Sequence, residues 1–297
     1  MNTHILRAMA VAAMAAAATP GIAADTDWTA VGQALGKAVA VQPDGVYKVG
    51  LPRTDLAVTL DGVAIKPTLA LGSWLAFKET AQGQAMVMGD LVLTQDEVNP
   101  VAKELEDGGI QITALHNHLL RAQPATLYMH VDGHGDAVKL ATVLHDALAK
   151  SKTPLAAPAA APAPAAIDLD TAALDKALGY TGKVNGGVYQ VTIPRAEAAK
   201  AGGMEIPPSM GAGIAINFQP TGAGKAAITG DFVLIASEVN PVIKALRDNG
   251  IEITALHNHM LDDEPRLFFM HFWANDDAVK LARGLHDALA QMKVAHS

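Results

Sequence analysis

The chain has 297 residues, a formal net charge of −8 and no cysteine. Half of its residues are hydrophobic and 18% are charged, which is typical of a globular chain of about two domains. Without clustered Lys and Arg, the sequence lacks the features of a nucleic-acid binder or of attachment to an anionic membrane. The absence of cysteine excludes disulfides and a cysteine-linked lipid anchor, so any transition-metal site must use His, Asp, Glu or Met.

Residues 1–23 are predicted to be a secretory signal peptide. They combine a short polar start at Arg7 with a run of about ten Ala, Met and Val residues, and small residues at Ala23 and Ala24 mark the expected cleavage site. An Ala-rich helix retained in the mature protein is the alternative. No later stretch reaches the roughly 18 uninterrupted apolar residues of a membrane span. We therefore expect a periplasmic or secreted protein without membrane insertion.

The remainder of the chain repeats itself. The heptapeptide "ITALHNH" at residues 112–118 recurs at 253–259. Around it, residues 89–149 align without a gap on residues 230–290, with about 37 of 61 positions identical. Such self-similarity indicates an internal duplication.

A change in composition separates the two copies. Residues 151–168 are rich in Pro and Ala, which favours an extended, semi-rigid linker. We therefore predict two homologous domains, residues 24–150 and 169–297. Since each carries a complete pattern of strands and helices, each is expected to bury its own core.

Both units are predicted to have the same order of elements. In the first, a short helix covers about Trp28–Ala38, and the apolar run Ala85–Leu93 is typical of a buried strand. A helix follows from Glu97, with Pro100 in its first turn and an end at Gly108–Gly109. The other predicted elements are β-rich stretches at 45–51, 56–65 and 69–77, strands at 110–117 and 126–131, and a closing helix at 136–150.

The later half of each unit follows the order strand, helix, strand, strand, helix. That order is typical of a split βαβ arrangement. The predicted fold class is therefore α+β, with two homologous domains that each have a largely antiparallel sheet and helices packed on one face.

Several stretches of the first unit resemble the LppY/LpqO family of exported bacterial proteins, which is defined by a domain of unknown function. The resemblance covers both units and implies the fold and export, but no established reaction. The second unit departs from it by having "GAGIAINF" in place of "GSWLAF". The stretches that carry the resemblance are "VYKVGLPR" (46–53), "LALGSWLAF" (69–77), "GDLVL" (89–93), "EVNPV" (97–101), "ALHNH" (114–118) and "MH" (129–130).

Three histidines in each unit are the candidate metal ligands. Residues two apart on a strand face the same side, so His116 and His118 can converge on one ion while Asn117 points away. His130, on the next strand of a hairpin, can add a third imidazole, and three histidines with an open fourth position form a known catalytic zinc arrangement. The sequence thus predicts a divalent metal site in each unit, for zinc or less readily copper, and leaves open whether the two sites act separately or join at a domain interface. The copies of these ligands in the second unit are His257, His259 and His271.

Two other functions remain open for the same histidines. A metal-free cleft could bind a small ligand such as a cell-wall sugar or peptide, with Trp74 as a platform unless it belongs to the core. A weaker alternative is a hydrolase or lyase in which a metal-bound water attacks the substrate. Histidines that only organise a loop are the bland alternative. The oligomeric state is not predicted.

Carboxylates near the histidines are the candidate general bases. Glu97 and Glu238 are the named catalytic candidates, although an acidic residue in the first helical turn is also ordinary helix-dipole chemistry. Asp90 and Asp231 follow a glycine within a strand and could serve as ligands or as orienting groups.

Overall fold

The computed structural model of the chain describes residues 26–80, 84–155 and 166–295. The predicted signal peptide and most of the predicted linker lie outside these ranges, so both stay predictions. Within these three ranges, no helix is long and apolar enough to cross a membrane.

The first unit contains one large antiparallel sheet and four helices. Its helices are α1 (Trp28–Leu35), α2 (Pro67–Ala70), α3 (Gln95–Asp107) and α4 (Ala137–Leu148). Its strands are β1 (Ala40–Val41), β2 (Tyr47–Pro52), β3 (Thr59–Leu60), β4 (Val63–Ala64), β5 (Gly72–Glu79), β6 (Gln84–Leu93), β7 (Gln111–His116) and β8 (Leu127–Asp136). The six-stranded sheet has the order β1-β2-β5-β6-β8-β7, and β3 pairs with β4 in a separate hairpin.

The second unit repeats this architecture. Its helices are α5 (Thr171–Leu178), α6 (Ala236–Asp248) and α7 (Ala278–Leu289), and Pro208–Met210 forms a 3-10 turn. Its strands are β9 (Lys183–Asn185), β10 (Val188–Pro194), β11 (Ala199–Ala201), β12 (Met204–Ile206), β13 (Gly213–Gly222), β14 (Lys225–Ile235), β15 (Glu252–His257), β16 (Asp263–Glu264) and β17 (Leu267–Asp277). The large sheet has the order β9-β10-β13-β14-β17-β15, and a small sheet has the order β12-β11-β16.

These two antiparallel sheets with their helices confirm the predicted α+β class and the repeated domain. Two local predictions are wrong. The helix predicted from Glu97 begins at Gln95, because Thr94 and Glu97 form a capping box around its first turn, so Pro100 lies inside α3. The β-rich stretch predicted from residue 69 is helical at its start, since Pro67 opens α2 and the strand begins only at Gly72.

The central strand β6 divides its side chains between two faces, as the two-residue period of a strand requires. Val87 and Leu91 belong to the apolar cluster that also contains the buried residues of α1, α3 and α4. Met86 and Met88 point to the opposite face and belong to a cluster composed mainly of second-unit residues. Strand β6 is therefore buried on both sides.

The helix-free faces of the two sheets pack against each other. Ala76, Met86 and Met88 of the first unit share one apolar cluster with the core of the second. A smaller cluster likewise joins Val92 and Tyr128 to second-unit residues that include Trp273. The layers therefore run helix, sheet, sheet, helix. The first unit has an apolar cluster made only of its own residues, as predicted, but the opposite face of its sheet also packs against the other unit.

Candidate metal centre

The duplicated heptapeptides end at the same place in space. His116 is the last residue of β7 and His130 lies on β8, while His118 lies in the loop after β7. Their copies occupy the equivalent positions around β15 and β17. The imidazole rings pair across the unit boundary, with centroid distances of 3.5 Å for His116 and His257, 3.6 Å for His118 and His271, and 3.8 Å for His130 and His259.

All six predicted histidines thus form one cluster, which we call the histidine centre. The histidines of the two units therefore meet at the interface between the sheets, a question that the sequence left open. His118 also differs from the prediction in lying beyond the strand end. The centroids of the His116 and His118 rings nevertheless lie 5.0 Å apart. The His118 ring stacks on the Tyr128 ring, with a centroid distance of 3.3 Å.

Reciprocal hydrogen bonds hold the two histidine loops together. Each loop donates to and accepts from the other, so the pair has approximate two-fold symmetry. The asparagine between the two histidines, whose side chain was not expected to bind metal, is one of the donors. The bonds are Thr113 Oγ1 to the His259 carbonyl (2.5 Å), Thr254 Oγ1 to the His118 carbonyl (2.5 Å), Asn117 Nδ2 to the Thr254 carbonyl (3.0 Å) and Asn258 Nδ2 to the Thr113 carbonyl (2.9 Å).

Two buried aspartates flank the centre. Asp90 pairs with His130 in the register of β6 and β8, and its carboxylate lies 3.6 Å from His118 Nε2 and 4.0 Å from His130 Nε2. Asp231 occupies the equivalent position in β14, and its Oδ2 lies 3.2 Å from His259 Nε2. The centre therefore combines six imidazoles with two carboxylates.

A hydrogen bond to the backbone fixes the tautomer of His271. The Nδ1 atom of His271 lies 2.6 Å from the carbonyl oxygen of Gly230, which can only accept, so Nδ1 carries the proton. Its Nε2 is then the free lone-pair donor. This backbone-oriented arrangement is the one that metal-ligating histidines commonly have.

Burial keeps the imidazoles neutral. It lowers the pKa of His116 to about 2, and the nearby His271 and His259 act in the same direction. Burial also lowers the pKa of His259 to about 3, and it lowers the pKa of His118 and His130 well below the ordinary value. The pKa values of His257 and His271 are shifted down for the same reason. Neutral imidazole is the form that binds a metal ion.

Burial has the opposite effect on the two acids, because it disfavours their charged form. The pKa of Asp90 is raised well above its ordinary value by burial and by the negative charge of Asp231. Burial raises the pKa of Asp231 to about 6, although the neighbouring His271 lowers it. A cation in the centre would favour the ionised form of both groups.

The centre holds nearly all of the unpaired polar side-chain atoms that are buried in the described ranges. Ten of the eleven such atoms belong to it: eight imidazole nitrogens and one oxygen each of Asp90 and Asp231. An unpaired buried polar group costs about 1–3 kcal/mol. Ten would cost on the order of 10–30 kcal/mol, which is comparable to or larger than the stability of a typical protein. These atoms therefore need partners from outside the chain, such as metal ions or water.

Three overlapping sets of histidines bring their nitrogens within 4.8 Å of one another. One is the predicted set His116, His118 and His130. The second-unit histidines form no such set on their own among the described residues, and instead His257 completes two sets that span the units. Those sets are His116, His257 and His271, and His130, His257 and His259.

The two glutamates proposed as catalytic candidates have a different role. Glu97 forms a buried ion pair with Arg53, at 2.8 Å, and its oxygens also accept from the backbone N–H groups of Thr94 and Lys152. Glu238 forms the equivalent buried ion pair with Arg195, at 2.7 Å. Since both oxygens of each carboxylate are already bonded within the chain, the structure favours the structural interpretation of Glu97 and Glu238 over a role as ligand or base.

The helix histidines His145 and His286 also lie outside the centre. His145 on α4 is exposed and pairs with Asp146, and His286 on α7 places Nδ1 3.0 Å from the Leu178 carbonyl oxygen. The histidine centre therefore excludes them.

A cavity of about 530 Å³ lies between the two sheets and reaches the histidine centre. We call it the inter-sheet cavity. Its lining includes both aspartates, four of the six histidines, Trp74 and Lys48. The sequence analysis missed Lys48. The available signal was a lysine in "VYKVGLPR" where the second copy, "VYQVTIPR", has Gln190 on a strand with alternating buried residues.

The fold and site define a tandem protein built from two copies of one antiparallel α+β domain that meet around buried histidines. The chain belongs to the family described as Domain of Unknown Function (DUF1259), whose model matches residues 29–150 and 172–291. The match confirms two tandem copies of a domain of unknown function, whereas the LppY/LpqO family name stays a prediction.

Comparison with characterised proteins adds no function. No curated protein matches the chain. Among solved structures, a trimeric bacterial microcompartment shell protein, PduB, aligns over 92% of each chain with 11% identity and a TM-score of 0.19. A similarity this low carries no argument about fold, assembly or function.

Proposed function

We propose that the protein binds a divalent transition metal, zinc first and copper second, in the histidine centre between its two units. The supporting observation is the set of ten buried nitrogen and oxygen atoms that lack a partner in the described ranges. Imidazole and carboxylate are ligands that zinc accepts, and no cysteine thiolate competes with them because the chain has no cysteine. We further propose that this takes place outside the cytoplasm, since the N-terminal pattern is typical of export.

The number of donors exceeds the needs of one zinc ion. Zinc usually takes about four ligands, whereas the centre offers six imidazoles and two carboxylates. The two-fold arrangement of the ring pairs gives each half of the centre an equivalent set of donors. The centre therefore has enough donors for two ions, and two of its three close histidine sets combine residues from both units.

A metal-dependent hydrolase or lyase stays a second candidate function. The inter-sheet cavity favours it, because Asp90 and Asp231 line a space where a substrate could approach a bound ion. Either aspartate, rather than Glu97 or Glu238, would then be the candidate base.

Elemental analysis of full-length protein purified without a histidine tag tests metal binding. We expect one to two equivalents of zinc per chain, which are removed by a chelator and restored by zinc addition. Protein that contains no transition metal and takes up neither zinc nor copper would rule out the proposal. The metal-free binding cleft would then be the better description of this site.

A further inference from the structure

The inter-sheet cavity extends well beyond the histidine centre. The strand register places Gly50, Trp74, Asp90 and His130 in one row across β2, β5, β6 and β8. Neighbouring strands lie about 4.8 Å apart, so this row leads from the centre towards the outer strands over roughly 14 Å. The volume of the cavity, about 530 Å³, is typical of a site for a small molecule.

Lys48 provides the positive charge of this cavity, and no other Lys or Arg lines it among the described residues. Its ammonium group lies 4.3 Å from the centroid of the Trp74 ring and donates to the Ser209 carbonyl at 2.8 Å. Two of its three N–H donors remain available for a ligand. Burial lowers the pKa of Lys48 to about 8, although Asp44 and Asp90 act against this shift. An anion beside Lys48 would compensate for the water that the ammonium group has lost.

The rest of the lining suits a hydroxylated ring. Asn217, Thr192 and Thr229 bring amide and hydroxyl groups to the cavity, and Trp74 adds an aromatic surface. Amides and hydroxyls can both donate to and accept from sugar hydroxyls. Aromatic side chains pack well against apolar ring faces.

The two units contribute unequally to this lining. Lys48 and Trp74 of the first unit correspond to Gln190 and Ala215 of the second, which also line the cavity. The lysine and the tryptophan of the lining therefore come from one side only. A duplicated histidine centre with a one-sided cavity indicates that the cavity recognises an asymmetric ligand.

We propose that the inter-sheet cavity binds an acidic sugar, a small hydroxylated ring with one carboxylate or phosphate group, and that this group lies between Lys48 and the histidine centre. The inference rests on the proposed function in one respect, because a bound metal ion would contribute part of the positive charge that attracts the anion. The ring hydroxyls contact the amide and hydroxyl side chains of the second unit.

Calorimetric titration of the full-length protein, both zinc-loaded and metal-free, tests this with glucuronate, glucose 6-phosphate and glucose. We expect at least one of the two anions to bind at least tenfold more tightly than neutral glucose, and the tighter one identifies the anionic group. Lys48→Gln introduces the residue that the second unit has at this position, so it should fold. It should weaken anion binding at least tenfold and leave zinc uptake unchanged.

Lys78→Gln is the matched control. Lys78 also donates across the unit boundary, to the Glu205 carbonyl at 3.3 Å, but it does not line the cavity. The proposal is overturned if no probe binds, if glucose binds as tightly as the anions, or if both lysine variants weaken binding equally. Zinc uptake without anion binding would overturn this proposal alone. Absence of zinc uptake would overturn the proposed function, and the metal-free titration would then decide the cavity proposal by the same criteria.

Discussion

The neutral imidazoles of the histidine centre make it ready for a metal ion and sensitive to acid. Burial lowers the pKa of each of the six histidines, so none needs to lose a proton before a metal binds at neutral pH. In the unfolded chain the same histidines have ordinary pKa values of about 6.5. The folded and unfolded states therefore bind different numbers of protons below this pH.

We predict that the metal-free protein loses stability steeply as the pH falls below about 6.5. Between the lowered pKa of a folded histidine and 6.5, the unfolded state binds more protons, and each histidine costs up to about 1.4 kcal/mol per pH unit. The raised pKa values of Asp90 and Asp231 act in the opposite direction, but they are two groups against six. Urea unfolding at pH 8, 6 and 5 measures the slope.

His145→Gln is the control variant, because His145 lies on α4 outside the centre, so zinc should stabilise it at pH 7 as much as it stabilises the wild type. Zinc should stabilise the folded protein at pH 7 and lose this effect in acid. A free energy of unfolding that is equal at pH 8 and pH 5 would contradict the neutral buried cluster.

The buried Arg53–Glu97 pair has a structural role, which predicts a large loss of stability when it is broken. Arg53→Ala leaves the Glu97 carboxylate buried without its cation and should cost about 3–5 kcal/mol. Lys103→Ala is the control, because its ion pair with Asp107 is exposed to solvent and contributes little to stability. Urea unfolding measures the loss in free energy of unfolding for the Arg53→Ala and Lys103→Ala variants. Equal effects of the two variants would show that the buried pair stabilises nothing.

At the scale of elements, the loop that follows β7 joins local structure to the site. It carries His118 and interlocks with its copy through Asn117 and Asn258. The asparagine side chain turns away from the rings, as its place between two histidines predicted, and bonds the opposite loop. The position of each histidine thus depends on the other unit.

We predict that Asn117→Ala costs about 1 kcal/mol of stability, the usual contribution of one hydrogen bond. It should weaken zinc binding less than His118→Ala does, because it loosens the loop without removing a ligand. Asn249→Ala is the control, since Asn249 bonds Ala245 and Asp287 and contacts no histidine of the centre. Zinc titration and urea unfolding measure the two effects. Tighter zinc binding by Asn117→Ala would contradict this role.

Sequence patterns were sufficient for most elements and for the choice of histidines. A continuous apolar run predicted β6, and Gly108–Gly109 correctly predicted the end of α3. The predicted start of α3 at Glu97 is two residues late. The residue that caps the helix is Thr94, which precedes the "EVNP" motif on which the prediction depends. The site was only partly predictable: spacing placed His116 and His118 together, but no local pattern states which unit covers the helix-free face.

At the scale of the whole molecule, duplication produced a composite site rather than two copies of one site. Each sheet buries its outer face under its own helices and its inner face against the other unit. The fully buried Met86 fills a core that belongs largely to the second unit. An apolar strand shows that a face is buried without showing what buries it.

Zinc titration into wild type, His118→Ala and His145→Ala tests the composite centre most directly. We predict that His118→Ala weakens every zinc-binding event of the chain at least tenfold, because its ring pairs with His271 of the other unit and shares ligand sets through His116. His145→Ala should bind zinc like wild type, since His145 lies outside the centre. If His118→Ala keeps half of the zinc capacity at wild-type affinity, the two units bind metal independently and the composite centre is wrong.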